Sequence, residues 1–166
     1  MKRILVATDG SPSATEAVAF GVELAAEHRA ELIFVHVVPK LDVVPARGFG
    51  AIGGAFPHEL TEYDRTLLDE AAAVAAEHEV VSTTAMLRGD TVDEIVAYAD
   101  SCDVDLIVVG SRGHGGIASA LLGSVSRDIL SESKRPVLIV RAAAVAEPAD
   151  VASASPAARP PAAVTR

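Results

Sequence analysis

Short runs of consecutive apolar residues alternate along this chain with longer stretches whose apolar positions recur every three or four residues. Ile4-Leu5-Val6-Ala7 is apolar at successive positions, as expected of a central parallel strand covered on both faces. Thr8-Asp9-Gly10 ends it. Ser11 and Ser13 offer N-caps, Pro12 suits a first helical turn, and Ser13-Ala14-Thr15-Glu16 has the form of a capping box. Ala14, Ala17, Val18, Gly21, Leu24 and Ala25 then make one apolar helical stripe. Leu32–Val38 predicts a second strand and residues 58–78 a second helix. Val80–Leu87 predicts a third strand, which Ser82, Thr83 and Thr84 place nearer a sheet edge. Thr91-Val92-Asp93-Glu94 reads as a capping box opening a third helix. Asp105–Val109 is a fourth strand, 124–133 a last helix and Pro136–Val140 a fifth strand. Two segments lack a period. Pro39–Pro57 holds Gly48, Gly50, Gly53 and Gly54 and reads as a long loop, a lid or a disordered insertion. From Ala142 to Arg166 alanine and proline dominate, which predicts a disordered tail after a domain spanning 1–141.

Strands alternating with helices predict an α/β domain with a parallel sheet and right-handed crossovers. Such sheets bind ligands beyond the strand C-termini, where the strand order reverses. The first and fourth strands are the most apolar, which marks them as the central pair. The loops that follow them, Thr8-Asp9-Gly10-Ser11 and Gly110-Ser111-Arg112-Gly113-His114-Gly115-Gly116, are where chemistry is expected.

Composition narrows the chemistry. Aromatic residues make up 4% of the chain and tryptophan is absent, so the core must be aliphatic. The net charge of −9 argues against nucleic acid or an anionic membrane as the main partner. An anion bound by such a chain must be held locally, by backbone N–H groups and a few arginines. The single cysteine, Cys102, excludes an internal disulfide and a cysteine metal cluster, and its apolar helical setting marks it as a structural thiol. The apolar run at the N-terminus is too short for a signal-peptide core or a membrane span, which points to the cytoplasm.

The segment Gly110–Ser126 carries the chemical signal. Its glycines allow close approach of backbone N–H groups to an anion and permit positive φ. A helix starting at Gly123-Ser124 would aim its free N–H groups and positive dipole end at the same anion. The hydroxyls of Ser124 and Ser126 could add to them, and Arg112 brings a cation. A Walker-type loop is excluded, because no lysine precedes Ser124. Gly113-His114-Gly115-Gly116-Ile117-Ala118 satisfies the loose dinucleotide fingerprint, but no acidic residue ends a following strand, so a nicotinamide cofactor is a weak alternative. His36 reads as a core or near-site histidine, His114 as a phosphate contact or an exposed side chain, and Asp90 as a cap before the third helix.

The spacing Gly110-x2-Gly113-x9-Gly123-Ser124 is similar to the nucleotide loop of the universal stress protein family. Asp9-Gly10-Ser11 after the first strand, Gly89-Asp90-Thr91, and the ending Arg135-Pro136-Val137-Leu138-Ile139-Val140 resemble the same family in the same order. The resemblance covers residues 1–141. It implies an open five-stranded parallel sheet of order 3-2-1-4-5, Rossmann-like, with helices on both faces. It also implies ATP as the ligand, a homodimer and a role in the stress response. Carried over residue by residue, it places the nucleoside on Ala7, Thr8 and Asp9 and adenine on the backbone of Val37. The phosphates fall on Gly110, Gly113, Gly123, Ser124, Val125 and Ser126, with Val109 and Arg112 beside them. In that order the fifth strand is an apolar edge suited to pairing with a second copy. Magnesium would arrive with the triphosphate. The expected function is nucleotide-responsive regulation. The alternative is a slow ATPase or self-phosphorylating enzyme, with Ser111, Ser119, Ser124 and Ser126 as conceivable acceptors.

Overall fold

The computed structural model describes residues 1–44, 54–57, 59–114 and 122–142. The predicted tail therefore lies outside the described residues except for Ala142, as do Gly115 and Gly116. The elements are β1 (Arg3–Ala7), α1 (Pro12–His28), β2 (Glu31–Val38), β3 (Leu41–Val44), β4 (Gly54–Pro57), α2 (Glu62–Glu77), β5 (Ser82–Arg88), α3 (Thr91–Ser101), β6 (Leu106–Gly110), α4 (Ser124–Glu132) and β7 (Val137–Val140).

Five strands form one parallel sheet in the order β5-β2-β1-β6-β7, which is the expected 3-2-1-4-5 among the five main strands. The alternation of side chains along each strand divides the core in two. Ile4 and Val6 of β1, with Leu32 and Phe34 of β2 and Val108 of β6, pack against Ala17, Val18 and Val22 of α1 and Leu68 and Ala71 of α2. Leu5, Ile33, Val35, Ile107 and Val109 point to the other face, where Ile95 and Ala99 of α3 and Ile129 of α4 cover them. The continuous apolar runs of β1 and β6 exist because both their faces are buried. The polar β5 is an edge strand, as its threonines suggest.

Four local expectations are corrected. Helix α1 is capped by Ser11, whose hydroxyl accepts from the Ala14 N–H at 3.4 Å, and not by a box built on Ser13. Ser13 is buried inside the first turn and its hydroxyl donates to the Arg112 carbonyl. Helix α3 is capped by Asp90, which accepts from the N–H groups of Val92 (3.0 Å) and Asp93 (3.3 Å), so the box on Thr91 and Glu94 does not form. Helix α2 starts at Glu62, four residues later than expected, where Thr61 and Asp64 form a reciprocal capping box. The segment Pro39–Pro57, read as lacking regular structure, contains β3 and β4 paired antiparallel with Leu41 opposite Pro57 and Val44 opposite Gly54. Each of these strands is four residues long, too short for an alternation to stand out in the sequence.

The N-terminus is fastened to the strand beside it. The Asp105 carboxylate accepts from the backbone N–H groups of Lys2 and of Arg3, the latter at 3.0 Å. These two bonds, that from Lys2 first, hold the carboxyl below the ordinary aspartate range. A depressed carboxyl contributes stability above its unfolded pKa and loses it as the pH falls through the folded value. Asp105→Asn should therefore lower the melting temperature at neutral pH, and the gap to wild type should close as the pH drops below about 4. Parallel thermal melts across the acid range check this; a gap independent of pH would contradict it.

Candidate functional site

The chain leaves β1 for β2 on one side of the sheet and later returns to β6 on the other. The order therefore reverses between β1 and β6, and the chain segments that follow these strands border a crevice. A cavity of about 500 Å³ opens there. Ala7, Thr8 and Asp9 at the end of β1, Val37 at the end of β2, and Val109 and Gly110 at the end of β6 line it. Arg112 and Gly113 from the following loop join Gly123, Ser124, Val125 and Ser126 at the start of α4. The twelve residues on which the resemblance places the nucleotide or its surroundings thus all border one cavity. Val35, His36, His114, Ala14 and Leu122 border it as well, and Thr91 and Ile95 of α3 form part of its wall. Thr91 and Ile95 lie one helical turn apart, but only the crossing of α3 over the mouth gives that spacing a meaning.

The loop after β6 is held by its neighbours. The hydroxyls of Ser11 (3.1 Å) and Ser13 both donate to the Arg112 carbonyl, and the Arg112 N–H donates back to Ser13 Oγ at 3.1 Å. Sequence reading assigned these serines to capping alone. The Ser111 carbonyl accepts from the Gly123 N–H (2.8 Å) and from the Ser126 hydroxyl (3.0 Å), which ties the start of α4 to the end of β6. The Ser126 hydroxyl is thereby engaged by protein carbonyl oxygens, although the residue borders the cavity. His114 Nε2 lies 2.9 Å from the Asp9 carbonyl oxygen, closing the loop back onto β1.

The glycines do different work. Positive φ is expected in Gly110–Ser126, but Gly110, Gly113 and Gly123 do not have it; among the described glycines only Gly10, outside that segment, does, at φ 76°. A Cβ on Gly110 would stand 2.7 Å from the Ala14 backbone nitrogen and 2.6 Å from Ser13 Oγ. Gly110 is glycine because α1 begins directly against β6. A Cβ on Gly113 would stand 2.6 Å from Asp9 Oδ2, inside the cavity.

The start of α4 differs electrostatically from those of α2 and α3. Those two helices carry Glu62 and Asp64, and Asp93 and Glu94, in their first turns and are capped by side chains. Helix α4 has no acidic residue in its first turn, and Gly123 supplies no side-chain cap. Its first N–H groups lack the usual anionic complement at a point that borders the cavity, an arrangement that attracts an anion.

Comparison with known proteins agrees with this architecture. The family model described as universal stress protein family matches residues 1–141. The chain belongs to this family. A universal stress protein of Methanocaldococcus jannaschii is 35% identical, with 84% of this chain and 82% of the relative covered. Universal stress protein YxiE of Bacillus subtilis is 36% identical over 84% of this chain and 98% of the relative. Among solved structures, a universal stress protein in complex with cAMP matches with a TM-score of 0.64 and 29% identity, covering 86% of this chain and 98% of that one. The universal stress protein of Archaeoglobus fulgidus in complex with dAMP matches with a TM-score of 0.61 and 23% identity over 84% and 98%, a likeness of fold. The family assignment accounts for the glycine spacing and for the sheet order together.

Proposed function

We propose that this protein binds ATP in the crevice between β1 and β6 and acts in the cytoplasm as a nucleotide-responsive regulator of the stress response. The observation that carries this reading is the convergence of an uncapped, acid-free helix start and a close-packed glycine loop on a cavity at the sheet's switch point. The solved relative with cAMP supports an adenine nucleotide as the ligand class. The base would lie against Val35, Val37 and Ile95, the ribose near Asp9, and the phosphates on the backbone of Gly113 and of Gly123–Ser126, with Arg112 as the cation. Magnesium would be carried by the triphosphate: among the described residues no three His, Cys, Asp or Glu side chains gather into a metal site. No described helix is long and apolar enough to cross a membrane. Binding is favoured over phosphoryl transfer because two candidate acceptors, Ser111 and Ser126, are buried, and the Ser126 hydroxyl is committed to carbonyl oxygens.

ATP at a hundred times its dissociation constant should stabilise the fold by about 2.7 kcal/mol and raise the melting temperature by roughly 5–10 °C. AMP should do less, since it leaves the outer part of the loop unoccupied. A thermal-shift titration tests this, and no shift at millimolar ATP would sink the nucleotide reading.

The dimer we propose forms through β7. Its residues are all half-buried, and it has a strand partner on one side only among the described strands. Such an apolar edge pairs readily with a second copy about a two-fold axis. Sedimentation velocity at micromolar protein should report a dimer; a monomer would overturn this assignment.

A further inference from the structure

His36 is buried in the cavity wall, and each of its ring nitrogens faces an oxygen. Nδ1 lies 2.9 Å from the Thr8 carbonyl oxygen, and Nε2 lies 3.1 Å from Asp64 Oδ1. A carbonyl can only accept. The Asp64 carboxylate also acts as an acceptor elsewhere: its Oδ2 takes the N–H and the hydroxyl of Thr61, each at 2.7 Å. A neutral imidazole has one N–H, so it would satisfy one of the two contacts and set a lone pair against an oxygen in the other. Both bonds form together only when the pair holds one proton more than a neutral ring and an ionised carboxylate carry.

The surroundings give this proton a mechanical role. Helix α2 is seated on the turn that follows β1: a Cβ on Gly10 would stand 2.5 Å from both Tyr63 Oη and Leu67 Cδ2. Asp64, between those two residues, is the charged group that α2 turns toward the ring. From β1 the ring meets the uncharged Thr8 carbonyl, while Asp9 accepts the Ser11 N–H through Oδ1 at 3.0 Å. Its neighbour in register on β5 is Met86.

We propose that His36 and Asp64 form a proton-holding brace, a positioning device that ties the Thr8 wall of the cavity to the first turn of α2 and releases it as the pH rises. The bond between them is complete while the ring carries its second proton and is lost when that proton leaves. Its effect on a ligand rests on the ATP-binding reading above; the brace itself does not.

Asp64→Asn separates the charge effect from mere packing. The amide oxygen can keep the bonds from Thr61, and the amide N–H can donate to the unprotonated Nε2 of a neutral ring. In the full-length protein without nucleotide, ¹⁵N NMR at about pH 6 should show both His36 ring nitrogens protonated. A singly protonated ring at that pH would overturn the proposal. Between about pH 6 and pH 9, the melting temperature of wild type should fall by at least about 3 °C more than that of Asp64→Asn. Equal slopes would also overturn the brace. With ATP as the probe, wild-type affinity should weaken roughly fivefold over the same range and that of Asp64→Asn should stay level. If ATP fails to bind at any pH, the nucleotide reading fails, and the ring protonation and the melts still decide the brace.

Discussion

Gly113→Val should leave the domain folded and reduce ATP affinity by about 100-fold, or about 2.7 kcal/mol. The new Cβ would stand 2.6 Å from Asp9 Oδ2, so either the Asp9 carboxylate or the loop must move. The carboxylate is the end of a side chain, and Gly113 is not buried, so the fold absorbs the change. The cavity cannot, because the displaced Asp9 is the proposed ribose anchor and the branched side chain fills space that phosphates would occupy. Isothermal titration with ATP, beside circular dichroism of the same sample, checks both halves. Normal affinity would remove Gly113 and Asp9 from the site; an unfolded variant would show that Gly113 serves the fold.

Gly110→Val should do the reverse and destabilise the whole domain by about 3 kcal/mol, with or without nucleotide. Here the obstructing atoms include backbone: the Ala14 nitrogen and the Ser13 carbonyl carbon would each stand 2.7 Å from the added Cβ. Backbone at the start of a helix cannot swing aside as a carboxylate can. Moving α1 off β6 would also strain the Ser11 and Ser13 bonds to the Arg112 carbonyl. The melting temperature should drop by roughly 6–12 °C for a domain of this size. A loss within one degree would mean that α1 can shift freely, contrary to the packing described. The two substitutions lie three residues apart in one glycine signature, yet one tests the site and the other the core.

Much of the architecture was legible because burial imposes a period. Strands buried on both faces read as unbroken apolar runs at Ile4–Ala7 and Leu106–Val109, and helices buried on one face show a stripe. The half-buried edge strand β5 announced itself through its threonines. The glycine spacing pointed to the end of the sheet at which the cavity opens. What stayed hidden depends on partners distant in sequence. Ser13 looks like a cap until the Arg112 carbonyl arrives beside it. Gly110 borders the cavity, and only the placement of α1 against it shows why a side chain is absent there. His36 and Asp64 have no shared motif, and their pairing follows from α2 resting on the turn after β1.

The sequence by itself determined the alternation of strands and helices, the family, and the loop in which an anion-binding site was to be sought. It could do so because periodicity, glycine spacing and capping chemistry are local and are written within a few residues of one another. The tertiary structure decided which serine caps α1, which glycine is glycine for packing and which for space in the cavity, that α3 walls the crevice, and that a histidine and an aspartate meet across two elements. Those outcomes turn on separations of about 3 Å between residues far apart in the chain, the range over which hydrogen bonds and steric contacts act, and only the folded sheet with its helices sets those separations.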